Sequence, residues 1–148
     1  MDFRVLGPLE VVCGGEVLAL GSRKQRALLA VLVMSANRVV GVDRLVEELW
    51  GDEAPTRAMA SLQAYVSRLR RLLQPAGANR GRSDVLVTQP PGYLLRVDPD
   101  SIDAVRFEHQ TAEGIRLLAA GDPQGALDVL EAALGLWRGP AYADFSFE

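Results

Sequence analysis

Apolar and polar positions alternate in short runs at the start of this chain and then recur at helical spacing. Runs rich in Val, Leu and Phe at residues 3–6 and 9–13, parted by Gly7-Pro8, precede Gly14-Gly15 and a further run at 17–20. This pattern predicts a small antiparallel sheet with tight turns. Ser22 is a predicted N-cap for a helix from 23 to about 36, whose dense apolar stretch at 27–34 marks it as central and buried. Its first turn carries Arg23, Lys24 and Arg26, cations that oppose the helix dipole by a few tenths of a kcal/mol and invite an anionic partner. Residues 39–42 predict a short strand. Asp43 then caps a helix through Leu49, with Leu45, Val46 and Leu49 as its stripe, ending near Trp50-Gly51.

After a turn at 52–55, Thr56 predicts the N-cap of a third helix, 57 to about 73, stopped by Pro75 and Gly77. Two helices joined by so short a turn form a helix-turn-helix. Beyond a loop at 76–83, strand-like segments 85–89 and 92–97 flank the turn Pro90-Pro91-Gly92, which predicts a hairpin directly after the third helix. Proline and charge at 98–101 mark a domain boundary, and two helices follow at 105–120 and 123–137, joined at Gly121-Asp122.

The third helix carries the candidate chemistry. At 100° per residue, Leu62, Val66, Leu69 and Leu73 form one stripe that faces the core. Arg57, Ser61, Ala64, Arg68 and Arg71 lie roughly 140° to 180° from Val66. Cations and small residues on one face suit a major groove, where small side chains allow close approach, Arg bonds guanine and Ser bonds a base or phosphate. Arg70 sits nearer the flank and reads as a phosphate contact. A solvated helix face would carry the same arginines, but it would intersperse them with acids at i,i+4 spacing, and this helix holds no acid. The hairpin is either a wing, with Thr88, Gln89 and Arg96 as polar candidates, or simply the closure of the sheet. Tyr93 and Trp50 read as packing residues.

Charge supports this only after it is divided. The net charge is −3, but residues 1–100 hold 13 Lys/Arg against 11 Asp/Glu, whereas residues 101–148 hold 3 against 8. Between Glu53 and Asp84 there is no acid, while Arg57, Arg68, Arg70, Arg71, Arg80 and Arg82 fall there. That window is a local basic footprint. The chain of 148 residues, 49% hydrophobic and 24% charged, has room for one full domain and part of another. Its longest apolar run is far too short to span a membrane, and the N-terminus lacks a signal-peptide pattern, so a cytoplasmic location is expected. One cysteine, Cys13, and one histidine, His109, leave no internal disulfide and no multi-histidine metal site. No P-loop, Cys-x-x-Cys pair or Gly-x-Ser-x-Gly elbow is present, and the acids of the tail are scattered, so neither an enzyme nor a cofactor is expected.

The order sheet, buried helix, helix-turn-helix, hairpin resembles the OmpR-type winged helix. The wording of the sequence is similar to the Streptomyces antibiotic regulatory protein (SARP) family, of the AfsR and EmbR type. The phrases that carry the resemblance are FRVLGPL from Phe3, KQRALLA from Lys24, VDRLV and LWG between Val42 and Gly51, YVSRLRRLL from Tyr65, and PPGYLL from Pro90. The tail resembles the start of a bacterial transcriptional activation domain, a tetratricopeptide-like helical array, through residues 103–107, Ala119-Ala120-Gly121-Asp122 and 132–139 with Leu-Trp-Arg-Gly. About one and a half repeats fit where an array needs about three, so a truncated or shortened member is expected.

The resemblance implies an α+β winged helix-turn-helix domain at 1–98, with an N-terminal antiparallel sheet, three helices and a C-terminal hairpin, followed by a partial all-α, tetratricopeptide-like activation domain at 102–148. It implies a nucleoid-associated transcriptional activator that binds tandem direct repeats in double-stranded DNA, as a homodimer on the DNA, and contacts RNA polymerase. By position in the matching helix, Ser67, Arg68, Arg70 and Arg71 lie at the DNA, with Arg57 and Ser61 near the helix entry. The wing has Gln89 where related wings often carry a basic residue. The short loop after Gly51, with Asp52 and Glu53, is the part that would approach polymerase. The competing expectation is a protein-interaction adaptor that works through the helical C-terminal segment.

Overall fold

The computed structural model of this 148-residue chain describes residues 1–74 and 85–145. The predicted stop signals Pro75 and Gly77, the loop at 76–83, and Arg80 and Arg82 lie outside the described residues. In chain order the elements are β1 (Asp2–Arg4), β2 (Glu10–Cys13), β3 (Glu16–Val17), α1 (Arg23–Met34), β4 (Val40–Gly41), α2 (Val42–Trp50), α3 (Ala58–Leu72), β5 (Leu86–Gln89), β6 (Gly92–Leu95), α4 (Asp103–Ala119) and α5 (Pro123–Leu134). Single 3₁₀ turns stand at Gly51–Glu53, Pro99–Ser101 and Ala143–Phe145. By contact the chain forms two units, Glu16–Val97 and a second that joins Met1–Gly15 to Asp98–Glu148.

In the first unit α1 is the central helix that its apolar density predicts. Leu28, Leu29 and Leu32 are fully buried, and α1 packs on α2, α3 and β6. Ser22 caps it by accepting from the Gln25 N–H at 3.3 Å, as the sequence predicts. The helix stops at Met34, two residues early: the Ser35 N–H completes the last α-helical bond, to Val31, and the Ala36 N–H then tightens to Val33 at 3.1 Å. Asn37 then takes φ 64°, a left-handed conformation that Asn tolerates. Its N–H donates to the Leu95 carbonyl at 2.8 Å and its Oδ1 accepts from the Val97 N–H at 3.0 Å, tying the turn to the end of β6.

Two predicted caps are corrected. Helix α2 begins at Val42 with Gly41 at the cap position, so Asp43 sits inside the first turn, where its charge suits the dipole without capping. Helix α3 begins at Ala58 with Arg57 at the cap position and no side-chain cap, so Thr56 plays no such part. A backbone turn does the work instead, the Ala58 N–H donating to the Pro55 carbonyl at 3.0 Å. The predicted hairpin forms with the register Leu86↔Leu95 and Gln89↔Gly92 around Pro90-Pro91. It also closes a sheet of order β4-β6-β5, with Val40 opposite Tyr93, which is buried.

In the second unit β1 and β2 pair antiparallel, Phe3 opposite Val11. Helices α4 and α5 form a hairpin in which Gly114 admits the Leu130 side chain; a Cβ there would stand 2.5 Å from Leu130 Cδ2. Asp122 caps α5, accepting from the Gly125 N–H at 2.9 Å, ahead of Pro123 at the first helical position. Helix α4 starts two residues before the predicted 105, and α5 ends three before the predicted 137. Trp137 therefore lies beyond the helix, edge-on to Phe107 at 5.4 Å between ring centroids.

The buried carboxylate of Asp103 accepts from the N–H groups of Val5 at 2.8 Å and Leu6 at 3.1 Å. Arg138 donates to the Pro8 carbonyl at 2.7 Å, and Arg106 pairs with Asp2 at 2.9 Å. These bonds group residues 1–15 with α4 and α5, whereas chain order alone attaches them to the winged helix. No helix among the described residues is long and apolar enough to cross a membrane.

Candidate nucleic-acid interface

Helix α3 has two faces, and its sequence dictates both. Leu62, Val66 and Leu69 are buried at 0–2% exposure, and Leu73, just past the helix end, is fully buried. On the far side Ser67, Arg68 and Arg71 are exposed, Arg57 is exposed at the cap position, and Ser61 and Ala64 are half-buried. Arg57, Arg68 and Arg71 form no side-chain hydrogen bond or ion pair among the described residues. Arg68 and Arg71 also border an open hollow of about 380 Å³ with Gln25 and Leu72. The last turn of α3 holds Arg70 and Arg71, which suits its dipole, and its first turn holds no acid.

Arg70 does something the periodicity did not reveal. Its Nε donates to the Leu86 carbonyl at 3.0 Å and its Nη2 to the Thr88 hydroxyl at 2.8 Å. Two residues expected at the DNA thus bond each other, across the seam between α3 and β5. Gln89 and Arg96 are exposed, at the tip and on the trailing side of the hairpin. Asp52 and Glu53 are exposed in the 3₁₀ turn that follows α2, away from any ion pair among the described residues.

One contributing residue escaped the sequence reading. Lys24 donates to the Leu49 carbonyl and holds its ammonium 5.9 Å from the centroid of the Trp50 ring, while Trp50 stacks on Tyr65 of α3 at 6.3 Å. The three contacts lock the end of α2, and so the acidic turn after it, against α1 and α3. The signal in the sequence is a cation in the first turn of α1, where it opposes the helix dipole; its partner is the Leu49 carbonyl at the end of α2 rather than an anionic ligand. Trp50 is half-buried in this stack rather than fully in the core.

The remaining candidates stay ordinary. His109 pairs with Asp100 at 3.0 Å, both side chains 65% exposed, and Cys13 is half-buried in β2. Asp2 is a perturbed acid: burial pushes its pKa up, but hydrogen bonds and charge from Arg4 and Arg106 outweigh that and hold it below the usual carboxylate value.

Comparison with known proteins gives a consistent family. Residues 15–95 match the family described as transcriptional regulatory protein, C terminal, and residues 102–148 match the bacterial transcriptional activator domain. The chain is 43% identical over 144 residues to the transcriptional regulatory protein EmbR of Mycobacterium tuberculosis, covering 97% of this chain and 37% of that protein. It is 41% identical to the transcriptional regulatory protein MoaR1 of the same organism, covering 97% and 46%, and 35% identical to the transcriptional regulator RedD of Streptomyces coelicolor, covering 97% and 41%. The solved structure of Mycobacterium tuberculosis EmbR in complex with a low-affinity phosphopeptide superposes with a TM-score of 0.90 at 43% identity, over 97% of this chain and 37% of that one. The chain thus spans less than half the length of these relatives.

Proposed function

The chain belongs to the SARP family of transcriptional regulators, with an OmpR-type winged helix, and from that premise we propose that it is a sequence-specific DNA-binding transcriptional activator. The observation that carries the reading is the outer face of α3, where Arg57, Arg68 and Arg71 are exposed and have no partner among the described residues, beside Ser61, Ala64 and Ser67. In this reading α3 lies in the major groove, Arg68 and Arg71 reach base edges or phosphates, and Arg57 meets the backbone at the helix entry. Gln89 at the hairpin tip meets the backbone or minor groove. The functional division is 1–98 for DNA and 102–148 for activation, the α4–α5 hairpin being the first unit of a tetratricopeptide-like array. Homodimers on tandem direct repeats at the nucleoid, and an approach of Asp52 and Glu53 to RNA polymerase, complete the proposal.

The test is fluorescence anisotropy on a library-selected duplex and its scrambled control, titrated from low to physiological salt. A preference of about a thousandfold is expected. Arg68→Ala should cost about 1–3 kcal/mol and relax preference at one base if it reads a base edge. A uniform loss with a flatter salt slope would make Arg68 a phosphate contact, and unchanged binding would remove it from the interface.

A second reading, an interaction adaptor, is favoured by one observation. Ile115, Leu118, Leu127 and Leu134 are 50–66% exposed, and helical geometry puts all four on one side of the α4–α5 hairpin. The double substitution Ile115→Glu/Leu134→Glu separates the readings: an adaptor loses its partner, whereas a DNA reader keeps its preference for the selected duplex.

A further inference from the structure

We propose that Arg70 and Thr88 form a strut that sets the hairpin relative to α3, so that Arg70 acts on DNA recognition as a positioning residue rather than as a contact. The proposal rests on the DNA-binding reading above and assigns a specificity-determining role within it. Arg70 lies about 40° from Val66 around the helix, which aims its side chain along the seam toward β5 instead of outward. It is half-buried, whereas Arg68 and Arg71 are exposed. Among the described residues β5 is an edge strand, in the order β4-β6-β5, so a carbonyl on its outer edge takes its partner from outside the ladder.

One guanidinium grips the strand at two points: it satisfies the Leu86 carbonyl at 3.0 Å and bonds the side-chain hydroxyl of Thr88 at 2.8 Å. Bonds to i and i+2 fix the strand in direction as well as position, because a planar fork of donors has one orientation in which both are straight. Gln89 follows Thr88 at once, and Arg68 and Arg71 flank Arg70 in sequence. The strut therefore holds the hairpin tip in register with the outer face of α3. An ammonium cannot reproduce it: lysine keeps the charge but offers no rigid fork.

That difference supplies the experiment. Selected and scrambled duplexes are titrated by anisotropy at several salt concentrations with wild type, Arg70→Lys, Arg70→Ala, Thr88→Val and Thr88→Ser, and amide hydrogen exchange is measured on each protein without DNA. For Arg70→Lys the specificity ratio is expected to fall about tenfold with the salt slope unchanged, and exchange at residues 86–89 to quicken severalfold. Thr88→Val should move in the same direction, Thr88→Ser should stay near wild type, and Arg70→Lys/Thr88→Val should be no worse than Arg70→Lys within about twofold.

If Arg70→Lys keeps specificity while Arg70→Ala lowers affinity for both duplexes and reduces the salt slope by about one, Arg70 is a phosphate contact and the proposal is overturned. Unchanged exchange at residues 86–89 in Arg70→Lys overturns the strut whatever the DNA result. Failure of wild type to distinguish the two duplexes overturns instead the DNA-binding reading, and the exchange data then judge the strut separately.

Discussion

The ammonium of Lys24, in the first turn of α1, caps the carbonyl of Leu49 in the last turn of α2. A cation at an N-terminus costs α1 a few tenths of a kcal/mol, but the same charge at the C-terminus of α2 contributes about 0.3–1 kcal/mol, and its position over Trp50 about 0.5–1 kcal/mol more. Lys24→Met should accordingly destabilise the protein by about 1 kcal/mol in urea unfolding and alter the Trp50 emission. A stability equal to wild type would mean that the α2 terminus is held by Trp50 and Tyr65 alone.

The backbones of β4 and β6 approach closely at Gly92. A Cβ on Gly92 would fall inside the van der Waals envelope of the Val40 carbonyl oxygen, whereas one on Gly41, the residue paired with Gly92, would meet nothing within 4 Å. Gly92→Ala should therefore cost about 2 kcal/mol or more and loosen the hairpin, while Gly41→Ala stays within about 0.5 kcal/mol of wild type. Thermal unfolding of the two variants side by side checks this, and equal melting temperatures would contradict it.

Asp103 carries a different kind of load. Its carboxylate satisfies two buried N–H groups, those of Val5 and Leu6, across nearly a hundred residues of chain. Removing it leaves both donors unpaired in the interior, so Asp103→Ala should cost about 3 kcal/mol or more. Asp103→Asn should recover only part of that, since one of its two terminal atoms becomes a donor. Hydrogen exchange at Val5 and Leu6 should quicken in both variants.

Acid and alkaline titration should each expose one group. The pKa of Asp2 is lowered on folding, so its contribution is present above the unfolded value of 3.8 and is lost as pH falls through the lower folded value. Asp2→Asn should flatten stability against pH below about 4, with little slope change between pH 6 and 8. Tyr142 runs the other way: burial, helped by the charge of Asp103, pushes its hydroxyl from 10.0 up to about 12. Folding prefers the neutral phenol, so this contribution is intact below pH 10 and is lost as pH rises toward 12. Ultraviolet titration should show a tyrosine step well above pH 10, and Tyr142→Phe should remove it.

Much of α3 is legible in the sequence alone. Its core stripe and outer face follow from 3.6-residue periodicity, and Leu62, Val66, Leu69 and Leu73 are all buried at 2% or less. The Ser22 cap, the hairpin turn and the Asp122 start of α5 were legible too, because each is settled by residues within a few positions of one another. The same logic failed for Thr56 and Asp43: a backbone turn to Pro55 stands before α3, and the Val42 N–H that opens α2 donates to the distant Pro91 carbonyl at 3.1 Å.

By itself, then, the sequence determined the element order, the two-faced third helix, the basic window and the family resemblance, since periodicity, capping chemistry and charge are local properties of the chain. Only the tertiary structure decided what the polar side chains serve. Lys24 reaches 25 residues to Leu49, Arg70 reaches 16 and 18 to Leu86 and Thr88, and Asp103 reaches 98 and 97 to Val5 and Leu6. Charged side chains are long, and buried N–H and carbonyl groups must be satisfied by whatever packing brings near. Their partners are fixed by how the elements stack, which no spacing along the chain encodes.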